Sequence, residues 1–356
     1  MNIFDYVKYF GDYTFKDRPF NEVDNIIFSC LAYADFNGVV KESREKIRIE
    51  DAYERFKKTF KTRKKEMLAV KVATQLFKEL YNTKRFKDVE LANYSYVGND
   101  ESQFSAITFM MDKKNYYVAF EGTDSLTSGW EEDCVMAYHF PVEAQVLAKK
   151  YLDKFFTMKN CNLIVGGHSK GGNLALVSSM YANYFVKKKI KKIYSNDGQG
   201  LRKAQIESKF YSKIEDRFVH IIPNYAIVGL FLRHNNDYVV VKSNKKGFMA
   251  HDLATWQVSY DHLEKDKLSR SSLVFDEGFS KWLDKYDDEK RKLFVKEFFN
   301  ILKENGIKDI MEIKIKKELI INIVKQSKEL NPLVREMAIE LFKVLGKTNF
   351  EYPLFG

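Results

Sequence analysis

Apolar and polar positions alternate with different periods along this chain, and the changes of period mark its organisation. From Asn21 to about residue 90 the apolar positions recur every three to four residues, which predicts helices. Asn21 can cap the first, with Ile26, Ile27, Cys30, Leu31 and Ala34 on its inward side, and Asp35-Phe36-Asn37-Gly38 stops it. A second helical block is expected from Ile49 to Leu80, with apolar positions at Tyr53, Phe56 and Phe60 and then at Met67, Val70, Val72, Ala73, Leu76, Phe77 and Leu80. Its basic stretch from Lys57 to Lys65 reads as a solvated face.

From Leu91 the period shortens to that of strands: Tyr94 to Gly98, Phe104 to Met111 and, after a turn at Asp112-Lys113-Lys114-Asn115, Tyr116 to Phe120. The last two runs predict an antiparallel hairpin. Pro141 opens a helix through Phe156, and strand-like runs follow at Ile190 to Asn196, Arg217 to Pro223 and Tyr238 to Lys242. This alternation predicts an α/β fold with a mostly parallel sheet flanked by helices and reactive groups at the carboxyl ends of its strands. Beyond about Leu263, amphipathic helices take over at Phe275 to Lys285, Asp288 to Asn305, Met311 to Leu330 and Leu333 to Leu345, punctuated by Gly306 and Pro332.

The stretch Leu163-Ile164-Val165-Gly166-Gly167-His168-Ser169-Lys170-Gly171-Gly172 carries the chemistry. It reads as an apolar strand, a glycine-flanked serine and the start of a small-residue helix, which is the pattern of a nucleophile elbow. Gly167 and Gly171 leave room for a bend that pushes the Ser169 hydroxyl out of the sheet edge. Gly172 lets the helix lie close on neighbouring strands, and the first helical N–H groups face any negative charge forming beside Ser169. The pentapeptide alone would arise by chance in about one chain in ten. Its strand-before, helix-after setting is what makes it informative.

We therefore expect a hydrolase-type domain over residues 1–265, including the helical N-terminal region, and a helical C-terminal appendage over residues 266–356. With 356 residues there is ample material for a buried core. No apolar run reaches membrane-spanning length and the N-terminus lacks signal-peptide character, so a cytoplasmic location is expected. Cys30, Cys134 and Cys161 show no metal-ligand spacing and read as reduced packing residues; no metal or cofactor is expected. The net charge of +10 makes an anionic membrane surface a candidate partner. Lysines interspersed with acids, and no zinc-finger or aromatic RNA-binding pattern, argue against nucleic acid.

Val118-Ala119-Phe120-Glu121-Gly122-Thr123-Asp124, Gly129-Trp130-Glu131-Glu132-Asp133 and the elbow together resemble the class-three lipases, whose pattern is a strand ending in Arg-Gly-Thr or Arg-Gly-Ser, a Trp-x-x-Asp segment and the elbow. Phe20-Asn21-Glu22-Val23-Asp24, Asn196-Asp197-Gly198-Gln199-Gly200, Ile227-Val228-Gly229 and His251-Asp252-Leu253-Ala254-Thr255-Trp256 extend the resemblance to a bacterial lipase-like family of the Mbeg type, whose members are mostly of unknown function. The resemblance implies that Ser169 attacks an acyl carbon, with the backbone N–H groups of Lys170 and Thr123, joined by the Thr123 hydroxyl, holding the oxyanion.

Of the six histidines, His251 fits the base best, because it lies in a loop after the final sheet strand. His262 is a second choice; His220 reads as a core residue, His168 is expected to point away from the serine, His234 lies in a turn and His139 precedes the elbow. The class-three Asp-x-Val-Pro segment is replaced by Ala226-Ile227-Val228-Gly229, so the acid must come from elsewhere. Asp197, at a strand end, is the choice and Asp237 the rival; Asp252 would need an unusual loop to reach back to the ring. Two functions are carried forward. One is a serine hydrolase of carboxylic esters, including lipid esters; the other is a degenerate hydrolase fold that binds a lipid, small molecule or protein without turnover.

Overall fold

Asparagines open the first two helices, α1 (Ile3–Phe10) and α2 (Glu22–Leu31), and each forms a reciprocal capping box with an aspartate three residues on. Strand β1 (Ile47–Arg48) leads into α3 (Ile49–Thr59), and α4 (Leu68–Leu80) follows. Within the expected helical block from Ile49 to Leu80 the described residues form α3 and α4, while Phe60 lies outside the described residues. The computed structural model describes residues 1–41, 45–59, 67–98, 103–123, 127–235, 238–307 and 330–347. Asp237 and the helix expected over Met311 to Leu330 lie outside these, Leu330 excepted.

The sheet proper comprises β2 (Glu90–Gly98), β3 (Gln103–Met110) and β4 (Asn115–Phe120), then, after helices α5 (Thr127–Val135) and α6 (Glu143–Phe156), β5 (Asn162–His168). Helices α7 (Lys170–Tyr181) and α8 (Tyr184–Lys189) precede β6 (Ile190–Asn196); short α9 (Lys203–Ile206) and α10 (Lys209–Ser212) precede β7 (Phe218–Pro223) and β8 (Tyr238–Val241). All eight strands lie in chain order, antiparallel from β1 to β4 and parallel from β4 to β8. The hairpin expected from the period-two runs is the β3–β4 pair. A small ribbon, β9 (Val258–Ser259) with β10 (His262–Leu263), precedes helices α11 (Arg270–Lys285), α12 (Asp288–Glu304) and α13 (Pro332–Lys347).

Strand alternation sorts side chains onto two cores. On β4, Tyr117 and Ala119 join Phe28, Phe77 and Trp256 under the N-terminal helices. Tyr116, Val118 and Phe120 face Ala148, Leu174 and Met180 of α6 and α7 on the other side. The C-terminal helices form further clusters: α11 and α13 pack on Ile222, Ile227 and Leu230, and α12 places Val295, Phe299 and Leu302 against Trp130 and Cys134 of α5. Lys303 of α12 also pairs with Glu131 of α5 at 2.7 Å. Among the described residues, no helix is long and apolar enough to cross a membrane.

A fully buried ion pair locks the N-terminal helices to this body. Arg85 donates to both carboxylate oxygens of Asp24, at 2.8 and 2.6 Å, and to the carbonyls of Tyr13, Arg18 and Pro19 at 3.2, 3.0 and 3.4 Å. Neither side chain of the pair is exposed. Removing one partner strands the other charge in a dry environment. Asp24→Ala is therefore expected to lower unfolding free energy by about 3–5 kcal/mol, read by urea denaturation; a loss under about 1 kcal/mol, the scale of a surface pair, would contradict this role.

Candidate active site

The backbone at Ser169 turns from strand to helix with φ 58° and ψ −132°, a conformation that non-glycine residues rarely adopt. Glycines make the turn possible by letting main chains touch. A Cβ on Gly171 would stand 2.1 Å from the Phe120 carbonyl oxygen, and one on Gly167 would stand 2.4 Å from Gly171. Gly122 brings the exit of β4 against the elbow: a Cβ there would lie 2.7 Å from the His168 carbonyl oxygen and 3.1 Å from the Ser169 Cβ. Because β4, β5 and β6 are parallel neighbours, Thr123, Ser169 and Asp197 all emerge from one edge of the sheet, at the carboxyl ends.

Asp197 follows directly on β6, also at positive φ, and is almost wholly buried. Its Oδ1 accepts from the backbone N–H of Gly229 at 2.9 Å, and its Oδ2 accepts from His251 Nδ1 at 2.6 Å. The glycine at 229 permits this approach, since a Cβ would stand 2.3 Å from that same Oδ1. Ala226, at the position where the class-three pattern has its acid, is buried and apolar. His251 closes a short 3-10 turn, Gly247–His251, after β8, and its ring lies 4.3 Å from that of His168. Among the described residues, no hydrogen bond joins the Ser169 hydroxyl to His251, and Ser169 is only 9 % exposed.

Next to Ser169, Lys170 is the first residue of α7, where backbone N–H groups have no helical acceptor. Thr123 is buried, and its hydroxyl donates to Asp133 Oδ2 at 2.6 Å, so its proton is directed at the carboxylate while its backbone N–H lies at the exit of β4. Burial pushes the Asp133 carboxyl up to about 6, against the pull of the Lys170 charge. The Lys170 side chain runs inward instead of into solvent. It forms a buried ion pair with Glu132 Oε2 and donates to the Gln103 carbonyl at 3.0 Å, while Glu132 Oε1 accepts from the Ala144 N–H at 3.0 Å.

The remaining histidines lie apart from the serine or turn from it. His220 of β7 stacks on His234 at 4.7 Å, and burial depresses both, His234 to about 4. His139 and His262 are exposed. His168, expected to point away from the serine, does so: its ring nitrogens engage Tyr33 and the His251 carbonyl. Asp252 accepts from the Ala254 N–H at 3.0 Å and caps the next turn. Two contacts were not visible in the sequence, the Lys170–Glu132 pair and the Tyr33–His168 bond. A lysine inside an otherwise small and apolar helix start was the one available signal for the first. Among the described residues, no group of three or more His, Cys, Asp or Glu side chains is arranged to hold a metal.

The family description Mbeg1-like matches residues 80–300, more than half of the chain. The chain belongs to the Mbeg1-like family. No curated protein matches it significantly. Among solved structures, the M37 lipase crystal structure is 17 % identical, with 58 % of the Mbeg1-like chain and 68 % of that chain covered and a TM-score of 0.35. A fungal lipase–inhibitor complex, described as a model for interfacial activation in lipases, is 13 % identical, with 69 % and 86 % covered and a TM-score of 0.37. The family match begins at residue 80, so the Asp24 and Tyr33 contacts of the N-terminal helices lie at residues outside the matched span of this Mbeg1-like chain.

The raised Asp133 carboxyl sets a sign for the pH dependence of stability. An unfolded aspartate titrates near about 4, so between about 4 and about 6 the native protein holds a proton that the unfolded chain has lost. The stability contributed by neutral Asp133 is present at the acid end of this window and is lost as pH rises through about 6. Asp133→Asn should therefore flatten the fall in Tm between those pH values in thermal melts; an identical slope in variant and wild type would contradict the assignment.

Proposed function

We propose that this chain is a serine hydrolase that cleaves carboxylic esters, acyl lipids among them, through an acyl-enzyme on Ser169. The observation that carries the reading is the Asp197–His251 hydrogen bond at 2.6 Å, beside a serine held in a strained elbow. A carboxylate on Nδ1 fixes the tautomer that leaves Nε2 free to accept a proton, and it stabilises the imidazolium that results. In the proposed cycle His251 takes the Ser169 proton as the hydroxyl oxygen attacks the acyl carbon. The tetrahedral oxyanion is met by the N–H groups of Lys170 and Thr123, and collapse expels the alcohol, which His251 protonates. Water, activated by the same imidazole, then releases the acid.

Asp197 supplies from β6 what Ala226 cannot supply, so the departure from the class-three pattern relocates the acid in this proposal. The low exposure of Ser169 and, among the described residues, the missing hydrogen bond to His251 favour the second reading, a fold that binds a lipid, small molecule or protein without turnover. A fluorophosphonate probe separates the two. The wild type is expected to be labelled and Ser169→Ala is not, while Asp197→Asn should slow labelling by up to about 10⁴-fold, the cost of a mis-set tautomer. An unlabelled but folded wild type that still binds an acyl ester saturably would replace the hydrolase reading with the second.

The net charge of +10 supports an anionic membrane surface as the place where such a substrate is met. Co-sedimentation with vesicles containing anionic lipid, lost in vesicles of neutral lipid, is the expected result; equal binding to both would remove charge as the cause.

A further inference from the structure

His168 stands immediately before the proposed nucleophile, yet its ring is turned to the N-terminal helices. The Tyr33 hydroxyl and His168 Nδ1 are 2.8 Å apart, and His168 Nε2 is 2.8 Å from the backbone carbonyl of His251. A carbonyl can only accept, so Nε2 carries the hydrogen and Nδ1 accepts from Tyr33. Burial, followed by the neighbouring His251, holds this imidazole neutral across the physiological range, which keeps the tautomer single. Both side chains are 5 % exposed.

Tyr33 adds a second link. A Cβ on Gly122 would stand 2.0 Å from the Tyr33 oxygen, so that hydroxyl fills the space between the exit of β4 and the elbow. Through Tyr33 and His168, three segments that are far apart in sequence are held to each other: the oxyanion strand exit, the elbow and the His251 turn. Other hydrogen bonds also tie the backbone of that turn. Trp256 Nε1 donates to the Ala250 carbonyl at 2.9 Å, and the Asp252 N–H reaches Met249 at 3.4 Å. Asp197 holds the ring of His251 at Nδ1, and His168 holds its main chain at the carbonyl. Two anchors on opposite sides of one residue define where its imidazole points.

We infer that Tyr33 and His168 are a positioning pair that sets His251 relative to Ser169, acting through the His251 carbonyl and not on substrate. The inference rests on the hydrolase reading for its catalytic consequence, but the anchoring itself is testable without activity. Full-length His168→Leu, His168→Gln and Tyr33→Phe are compared with wild type by fluorophosphonate labelling rate, by hydrogen exchange over residues 247–252 and by thermal melting. The leucine variant removes the donor to His251 and is expected to slow labelling by about tenfold to a hundredfold, the scale of a misplaced catalytic group, with faster exchange in the turn.

Glutamine, whose amide can donate to the same carbonyl, is expected to restore both readouts close to wild type. Tyr33→Phe keeps the ring and should give the same direction as leucine with a smaller loss. Should His168→Leu fail to fold, the comparison of His168→Gln and Tyr33→Phe carries the test. Labelling and exchange at wild-type levels in His168→Leu, or in Tyr33→Phe when leucine does not fold, would overturn the positioning role while leaving the hydrolase reading intact. A wild type that is never labelled would sink the hydrolase reading alone, and the exchange comparison would still decide the anchoring.

Discussion

The close approach of three main chains around Ser169 is the constraint on which the rest of the site depends. A non-glycine residue at φ 58° is held in a conformation that typically costs about 1–3 kcal/mol, and it persists because its neighbours leave no alternative. Gly167 and Gly171 let the elbow close on the end of β4; Gly172 and Gly198 let α7 and the exit of β6 meet over the Ser195 hydroxyl. Each of these glycines is used for proximity. Side chains there would push the exit of β4, Ser169 and Asp197 apart.

Polar groups buried behind the elbow convert that proximity into a unique arrangement. Asn25 of α2 exchanges hydrogen bonds with Asn196 at 2.9 and 3.1 Å, and Asn196 also donates to Ser29 and to the Gly167 carbonyl. Tyr117 from β4 donates to Asn25 at 2.7 Å. On the other side, the Lys170–Glu132 pair ties the first turn of α7 to α5 and to the N-terminus of α6. A wholly apolar filling would tolerate small slides between strands, whereas these donors and acceptors match in one register only. The N-terminal helices are thus part of the scaffold of the candidate site, and α12, packed on Trp130 and Cys134, braces the segment that carries Asp133.

Local signals in the chain were enough for much of this. The alternation from Pro141 to Lys242 marks the parallel half of the sheet because β5, β7 and β8 are short, largely apolar runs and β6 keeps Ile190, Ile193 and Tyr194 at buried positions. Asn21 caps α2 as expected, since a capping box is written within four residues. Helix α1 carries the same box in Asn2 and Asp5, but its eight residues are too short to show a clear helical period. The two-residue strands β1, β9 and β10 are too short to show a period. At the site, Ser169 is announced by its glycines, and Asp197 and His251 by their places after strands. The Tyr33–His168 bond spans 135 residues and the Lys170–Glu132 pair 38, and neither leaves a local pattern. Such contacts are set by how the sheet brings strand ends together, which only the folded chain displays.

In the proposed cycle His251 relieves Ser169 of its proton while Asp197 holds the imidazole from behind. A crystal structure of the protein after reaction with a fluorophosphonate tests it most directly. The account predicts phosphorus bonded to Ser169 Oγ, the phosphoryl oxygen within about 3 Å of the Thr123 and Lys170 N–H groups, and His251 Nε2 at hydrogen-bonding distance, about 2.6–3.2 Å, from Oγ. An adduct with His251 turned away from the serine, or with the phosphoryl oxygen facing any other donors, would contradict it.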